Sequence, residues 1–121
     1  MAFADQKIFT ITGNFVHLRA QAATTPDVEQ TLISSTVSSG FRREVWSIYV
    51  TSDHPGYWSA IVAGVIVASG RIAAGAKNSA FQYIPPKVLT AGQTLEVKFH
   101  SRAGYPTTEV EAYVSASDVP L

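Results

Sequence analysis

Three histidines, His17, His54 and His100, are the side chains of this sequence best suited to moving protons or ligating a metal near neutral pH. A shared zinc ion needs imidazoles at short spacing, and the sequence has no HxH or HxxxH pair. His17 and His100 are expected on polar strand faces and His54 in a turn, each in a solvent-facing structural role. Glu109 and Glu111 alternate along one segment, which on a strand places them on one face about 7 Å apart. That separation invites comparison with glycosidase carboxylate pairs, although a wet strand surface explains it as well. No serine lies in a GxSxG elbow, no glycines form GxGxxG or GxxxxGK, and no DxDxDG loop offers calcium a cage. Cysteine is absent, which removes thiolate metal sites and disulfides. The expectation is a protein that is not an enzyme and carries no cofactor or metal.

Aromatic residues offer a different chemistry. Tyr57 and Trp58 follow a Pro55-Gly56 turn, and Tyr105 sits in another loop, so the three could form a stacking platform for a sugar ring. Equally, Trp46 and Trp58 fall inside apolar segments and could fill a core or a subunit contact. Ile61, Val62, Val65, Ile66 and Val67 present apolar groups to both faces of extended chain. Such a segment is either central in the fold or covered by a partner. The second case predicts a homo-oligomer, with a cyclic trimer as one form.

Nine Lys and Arg balance nine Asp and Glu, so no net field draws in nucleic acid. Arg42 and Arg43 are followed at once by Glu44 and read as a solvated strand start. The most apolar stretch, Ser59 to Gly70, falls short of the roughly 20 residues a membrane helix needs. Met1 to Gln6 lacks the basic and apolar regions of a secretory signal and reads as a polar arm able to order on a neighbour.

The elements that must position these residues show a period of two. Leu95, Val97 and Phe99 alternate with Glu96, Lys98 and His100, and Val110, Ala112 and Val114 alternate with Glu109, Glu111 and Tyr113. Ser101 to Pro106 reads as the hairpin between them. From Glu44 to Thr51, Trp46, Ile48 and Val50 are expected on one face and Val45, Ser47 and Tyr49 on the other. Asp53 to Gly56 is a turn, Tyr57 to Ala63 a strand, and Gly64 an interruption before Val65 to Ala68. Ser69 and Gly70 are expected to turn the chain toward Arg71. Ala80 to Ile84 should form a strand that stops at Pro85 and Pro86, because proline cannot donate to a ladder. Thr90 to Gln93 turns into the Leu95 strand. Lys7 to Thr12 and Phe15 to Ala20 flank Gly13-Asn14 as an opening hairpin, and Glu29 to Val37 makes a further strand. About eight short strands separated by turns predict an all-β single domain over residues 1–121, an antiparallel β-sandwich.

The run from Tyr83 to Val97, YIPPKVLTAGQTLEV, resembles the penultimate hairpin of viral jelly-roll sandwiches, where a proline-ended strand precedes an AGQTL turn and an alternating strand. In the C-terminal third the chain is similar to the small capsid decoration, or cement, proteins of tailed bacteriophages. The resemblance implies a jelly-roll-like fold and a structural virion protein on the capsid surface that clamps neighbouring capsid protein subunits. A carbohydrate-binding sandwich, lectin-like or receptor-binding, using Tyr57, Trp58 and Tyr105 is the competing expectation.

Overall fold

The computed structural model describes residues 14–121. Its strands are β1 (Asn14–Thr24), β2 (Glu29–Thr36), β3 (Phe41–Ser52), β4 (Gly56–Val62), β5 (Val65–Ile72), β6 (Asn78–Leu89), β7 (Thr94–Ser101) and β8 (Thr108–Pro120). They form two four-stranded antiparallel sheets, in the orders β1-β8-β3-β6 and β2-β7-β4-β5. The pairs β1·β8, β2·β7, β3·β6 and β4·β5 are those of one long hairpin with its tip at Ala63-Gly64. Rolling that hairpin up adds the pairs β8·β3 and β7·β4 and closes a jelly-roll sandwich. Among the described residues, β4 and β5 alone are chain neighbours within one sheet.

The sandwich exists because alternate side chains of each sheet are apolar. Leu95, Val97 and Phe99 of β7 and Val110, Ala112 and Val114 of β8 are fully buried, as their period of two predicts. They meet Ile48, Val50, Trp58, Ile72 and Leu89 in one continuous core. Full burial of side chains this size contributes about 1.5–3 kcal/mol each before the entropy of ordering is counted.

Several elements differ from the sequence expectation. The ladder of β3 slips between Val45 and Ser47, so Val45, Ile48 and Val50 point inward while Trp46 and Tyr49 point out. A β-bulge at Trp46 resets the alternation, and Trp46 leaves the face it was expected to share with Ile48 and Val50. Strand β5 continues through Ser69 and Gly70 instead of turning there. Gly70 lies opposite Trp58, and a Cβ at that position would collide with the indole and with the Ser79 hydroxyl. Strand β6 likewise runs past Pro85 and Pro86, with a cis peptide between Ile84 and Pro85. It is an edge strand, and residues 83–86 bulge out opposite Trp46, so neither proline is asked to donate to the ladder. Residues 102–107 and the Thr90 to Gln93 turn cross from one sheet to the other and are not hairpins. The expected strand at Lys7 to Thr12, its turn at Gly13 and the arm at Met1 to Gln6 lie outside the described residues.

Candidate functional site

The five apolar residues from Ile61 to Val67 fold into the tip of the rolled hairpin and divide between three environments. Val62 is buried in the sandwich core and Val67 packs partly against it. Ile61 and Ile66 are cross-strand partners, and the bulge that pairs them leaves Val67 unpaired between Ile66 and Ala68. Val65 and Ile66 stay 62% and 63% exposed. Val62, Val65 and Val67 line a cleft of about 270 Å³ together with Val88 and the stem of Lys87 from β6.

A second group of uncovered side chains lies on the outer face of the first sheet, near the same end. Register places Phe15, Ser117, Glu44 and Val88 in one row across β1, β8, β3 and β6, a span of about 14 Å at ordinary strand spacing. Phe15 is 71% exposed and Val88 half exposed. Trp46, beside this row, donates its indole N–H to Ser117 Oγ at 3.1 Å, which ties the ring to the outer face while leaving it 39% exposed. Ile84, 84% exposed, rides on the β6 bulge. Sequence reasoning missed this face because one extra residue in β3 turns Trp46 outward, onto the same side as Tyr49.

Further along the same face, Tyr113 of β8 stands between Arg19 and Tyr49, its register partners on β1 and β3. The Arg19 guanidinium lies 5.6 Å from the Tyr113 ring centre, and the rings of His17 and Tyr49 tilt against it at 6.1 and 6.0 Å. Tyr113 donates its hydroxyl to Glu111, which also accepts from Arg19 at 3.3 Å. The hydrogen bond from Tyr113, then that from Arg19, holds the Glu111 carboxyl below its ordinary range. The same bond raises the Tyr113 hydroxyl. Glu109 takes no part: its backbone N–H is bonded to Asp53 at 2.9 Å. The two glutamates therefore have unequal surroundings, with Glu111 committed to partners on its own sheet.

The opposite end of the sandwich gathers the loops of residues 25–28, 53–55, 73–77 and 102–107. Here the three aromatic residues expected to form a sugar platform separate. Trp58 is 1% exposed and fills the core beneath Gly70, so it offers no face to a ligand. The reason is strand alternation: Tyr57 takes the outer position and Trp58 the inner one. Tyr57 stacks on His100 with ring centres 5.0 Å apart and planes 8° apart, whereas Tyr105 leans on His54 at 5.6 Å. His100 Nε2 is 3.1 Å from Asp27 Oδ1. Among the described residues, no three His, Cys, Asp or Glu side chains converge as a metal set. No helix is long and apolar enough to cross a membrane there.

No family model and no curated protein matches the chain. Among solved structures it is similar to part of dimeric latent PorU from Porphyromonas gingivalis, with a TM-score of 0.54, 8% identity and 92% of this chain covered. This chain spans 13% of that PorU chain, and at such identity the likeness is one of fold. Two virus structures match less closely. One is infectious bursal disease virus, Gx strain, with a TM-score of 0.42, 14% identity, and 90% and 30% of the two chains covered. The other is the empty head of turnip yellow mosaic virus, with a TM-score of 0.30, 10% identity, and 93% and 84% covered. Scores of this size do not establish a shared fold.

Proposed function

We propose that this chain is a structural protein of a virus particle, a non-enzymatic jelly-roll module that decorates a capsid and stiffens it by bridging capsid protein subunits. The carrying observation is the apolar surface left at one end of the sandwich: Val65 and Ile66 at the hairpin tip, and Phe15, Trp46, Ile84 and Val88 on the adjoining sheet face. Side chains that large, gathered at one end and exposed among the described residues, are the mark of a protein contact. The jelly roll and the similarity of the Tyr83 to Val97 run to decoration proteins support the capsid as that contact. The action is mass action, since a protein that binds the assembled lattice and not free subunits favours the lattice. Self-association through the same end, as a cyclic trimer, would present several copies of the patch at once.

Mass spectrometry of particles purified from the virus that encodes the chain should find it in fixed ratio to the capsid protein. Adding the purified chain to particles stripped of it should restore their resistance to heat. The double change Val65→Asp and Ile66→Asp should abolish re-binding while leaving the isolated fold intact, because both positions are exposed. Absence of the chain from purified particles would overturn the proposal.

A further inference from the structure

At the loop end, away from the apolar patch, a cleft of about 320 Å³ is lined by Pro55, Gly56, Tyr57, Arg71, Ile72 and Arg102, with small residues closing its side. Gly56 sits at its centre, paired with Ser101 on one side and Ile72 on the other. That register brings Arg102, which follows Ser101, and Arg71, which precedes Ile72, to the cleft from opposite flanks of β4. The loop carrying Arg102 is pinned by its backbone N–H to the Pro55 carbonyl at 3.1 Å. Every other arginine among the described residues has a carboxylate partner: Arg19 with Glu111, Arg42 with Glu44 and Arg43 with Asp118. Arg71 and Arg102 have none among the described residues, and the described lining of the cleft contains no acid. Two like charges facing one cavity repel each other until an anion enters between them.

Tyr57 supplies the second half of the recognition. It is 50% exposed, and its cross-strand partner is Arg71. His100 stacks on the ring without lining the cleft, which fixes the ring's orientation and leaves its remaining surface to the cavity. Asp27 in turn holds His100. Gly56 has to be glycine, because a Cβ would strike the buried Phe99 ring and the His100 carbonyl, and this close packing fixes the strand start that carries Tyr57. A fixed aromatic ring and two guanidiniums without a carboxylate among the described residues suit a flat-faced ring that carries a carboxylate. The volume suits a monosaccharide unit and is too small for a folded peptide.

We propose that this cleft binds a carboxylated sugar, its carboxylate shared by Arg71 and Arg102 and its ring lying against Tyr57. The site is independent of the apolar end, so it gives the chain a surface ligand while the other end is engaged.

Isothermal titration and chemical-shift mapping of the full chain test this with glucuronic acid, N-acetylneuraminic acid, the glucuronic acid methyl ester, glucose, inorganic phosphate and a tetra-aspartate peptide. The free acids should bind and shift the Tyr57, Arg71 and Arg102 resonances, whereas the ester and glucose should not. Arg71→Gln and Arg102→Gln should each weaken binding by about tenfold or more, the size of a lost charge-assisted hydrogen bond. Tyr57→Leu should weaken the sugar acids while leaving any response to phosphate unchanged, and an unaltered circular dichroism melt would show that the variants fold. Phosphate or tetra-aspartate binding as tightly as the sugar acids would overturn the proposal in favour of a plain anion or acidic-peptide site. Sugar-acid binding indifferent to both arginine changes, or no binding at all, would overturn it outright.

Discussion

Arg43 and Asp118 face each other in register across β3 and β8, joined by contacts of 2.7 Å from Nε and 3.1 Å from Nη2 to the two carboxylate oxygens. The remaining arm of the guanidinium, Nη1, donates to Ser35 Oγ at 2.8 Å, so one buried side chain ties both sheets together. In the sequence, Arg43 reads together with Arg42 and Glu44 as a solvated strand start. Arg42 keeps that role, bonded to Glu44 at 3.6 Å on the surface, while Arg43 turns inward.

Removing one partner of such a pair strands the other as an uncompensated buried charge. Asp118→Ala should destabilise the fold by about 3–5 kcal/mol, and Arg43→Met with Asp118→Leu together by much less. Urea unfolding of the single and double variants measures both, and added salt should change the wild-type value little because the pair is shielded from solvent.

Ala63 and Gly64 turn the hairpin tip with φ of 52° and 77°, the positive values of a type I′ turn. Glycine adopts that backbone freely, but alanine at Ala63 crowds its Cβ against the carbonyl. Ala63→Gly or Ala63→Asn should therefore stabilise the protein, by about 0.5–1 kcal/mol, seen as a higher thermal midpoint.

Trp58 has a buried indole N–H with no hydrogen-bond partner among the described residues, lodged where Gly70 leaves room. Gly70→Ala should cost about 1–3 kcal/mol by overpacking. Trp58→Phe removes the unpaired donor along with part of the ring and should cost less than the 3–5 kcal/mol typical of truncating a core tryptophan to alanine. Chemical denaturation of the three variants orders them.

The Glu111 and Tyr113 pair makes a prediction with opposite signs at the two ends of the pH scale. The Glu111 carboxyl is held down in the folded state, so its contribution is present above the ordinary carboxylate pKa and lost as pH falls through the folded value. The Tyr113 hydroxyl is held up, so its contribution is present below the ordinary tyrosine pKa and lost as pH rises through the folded one. Tyr113→Phe should raise the Glu111 pKa toward its ordinary value, followed by carbon-detected NMR titration of the carboxyl, and should flatten the acid limb of the stability profile.

The layered architecture was legible because β7 alternates throughout and β8 from Thr108 to Ala116, and the turns at Gly75 and Gly92 carry the glycine their positive φ needs. Strict alternation misplaces Trp46 because a bulge shifts phase by one residue, and whether a bulge occurs depends on the partner strands. In the sequence, Ser69-Gly70 and Pro85-Pro86 read as breaks because glycine and proline punctuate most chains. Here one glycine makes space for an indole from the neighbouring strand, and the prolines ride a free edge. The Arg71 and Arg102 cleft and the Arg43 to Asp118 pair join residues distant in the chain, and their meeting depends on strand order, which periodicity does not encode.

The pairing of β1 with β8, from Asn14 opposite Asp118 to Thr24 opposite Thr108, also sets the order of assembly. The hairpin at Ala63-Gly64 can zip early, but the strand flanked by β1 and β3 is the last to be synthesised, so the first sheet stays split during translation. Such remote pairing makes folding slow, and until β8 arrives the facing edges of β1 and β3 lack their ladder partner, which makes this interval the growing chain's period of greatest exposure to aggregation.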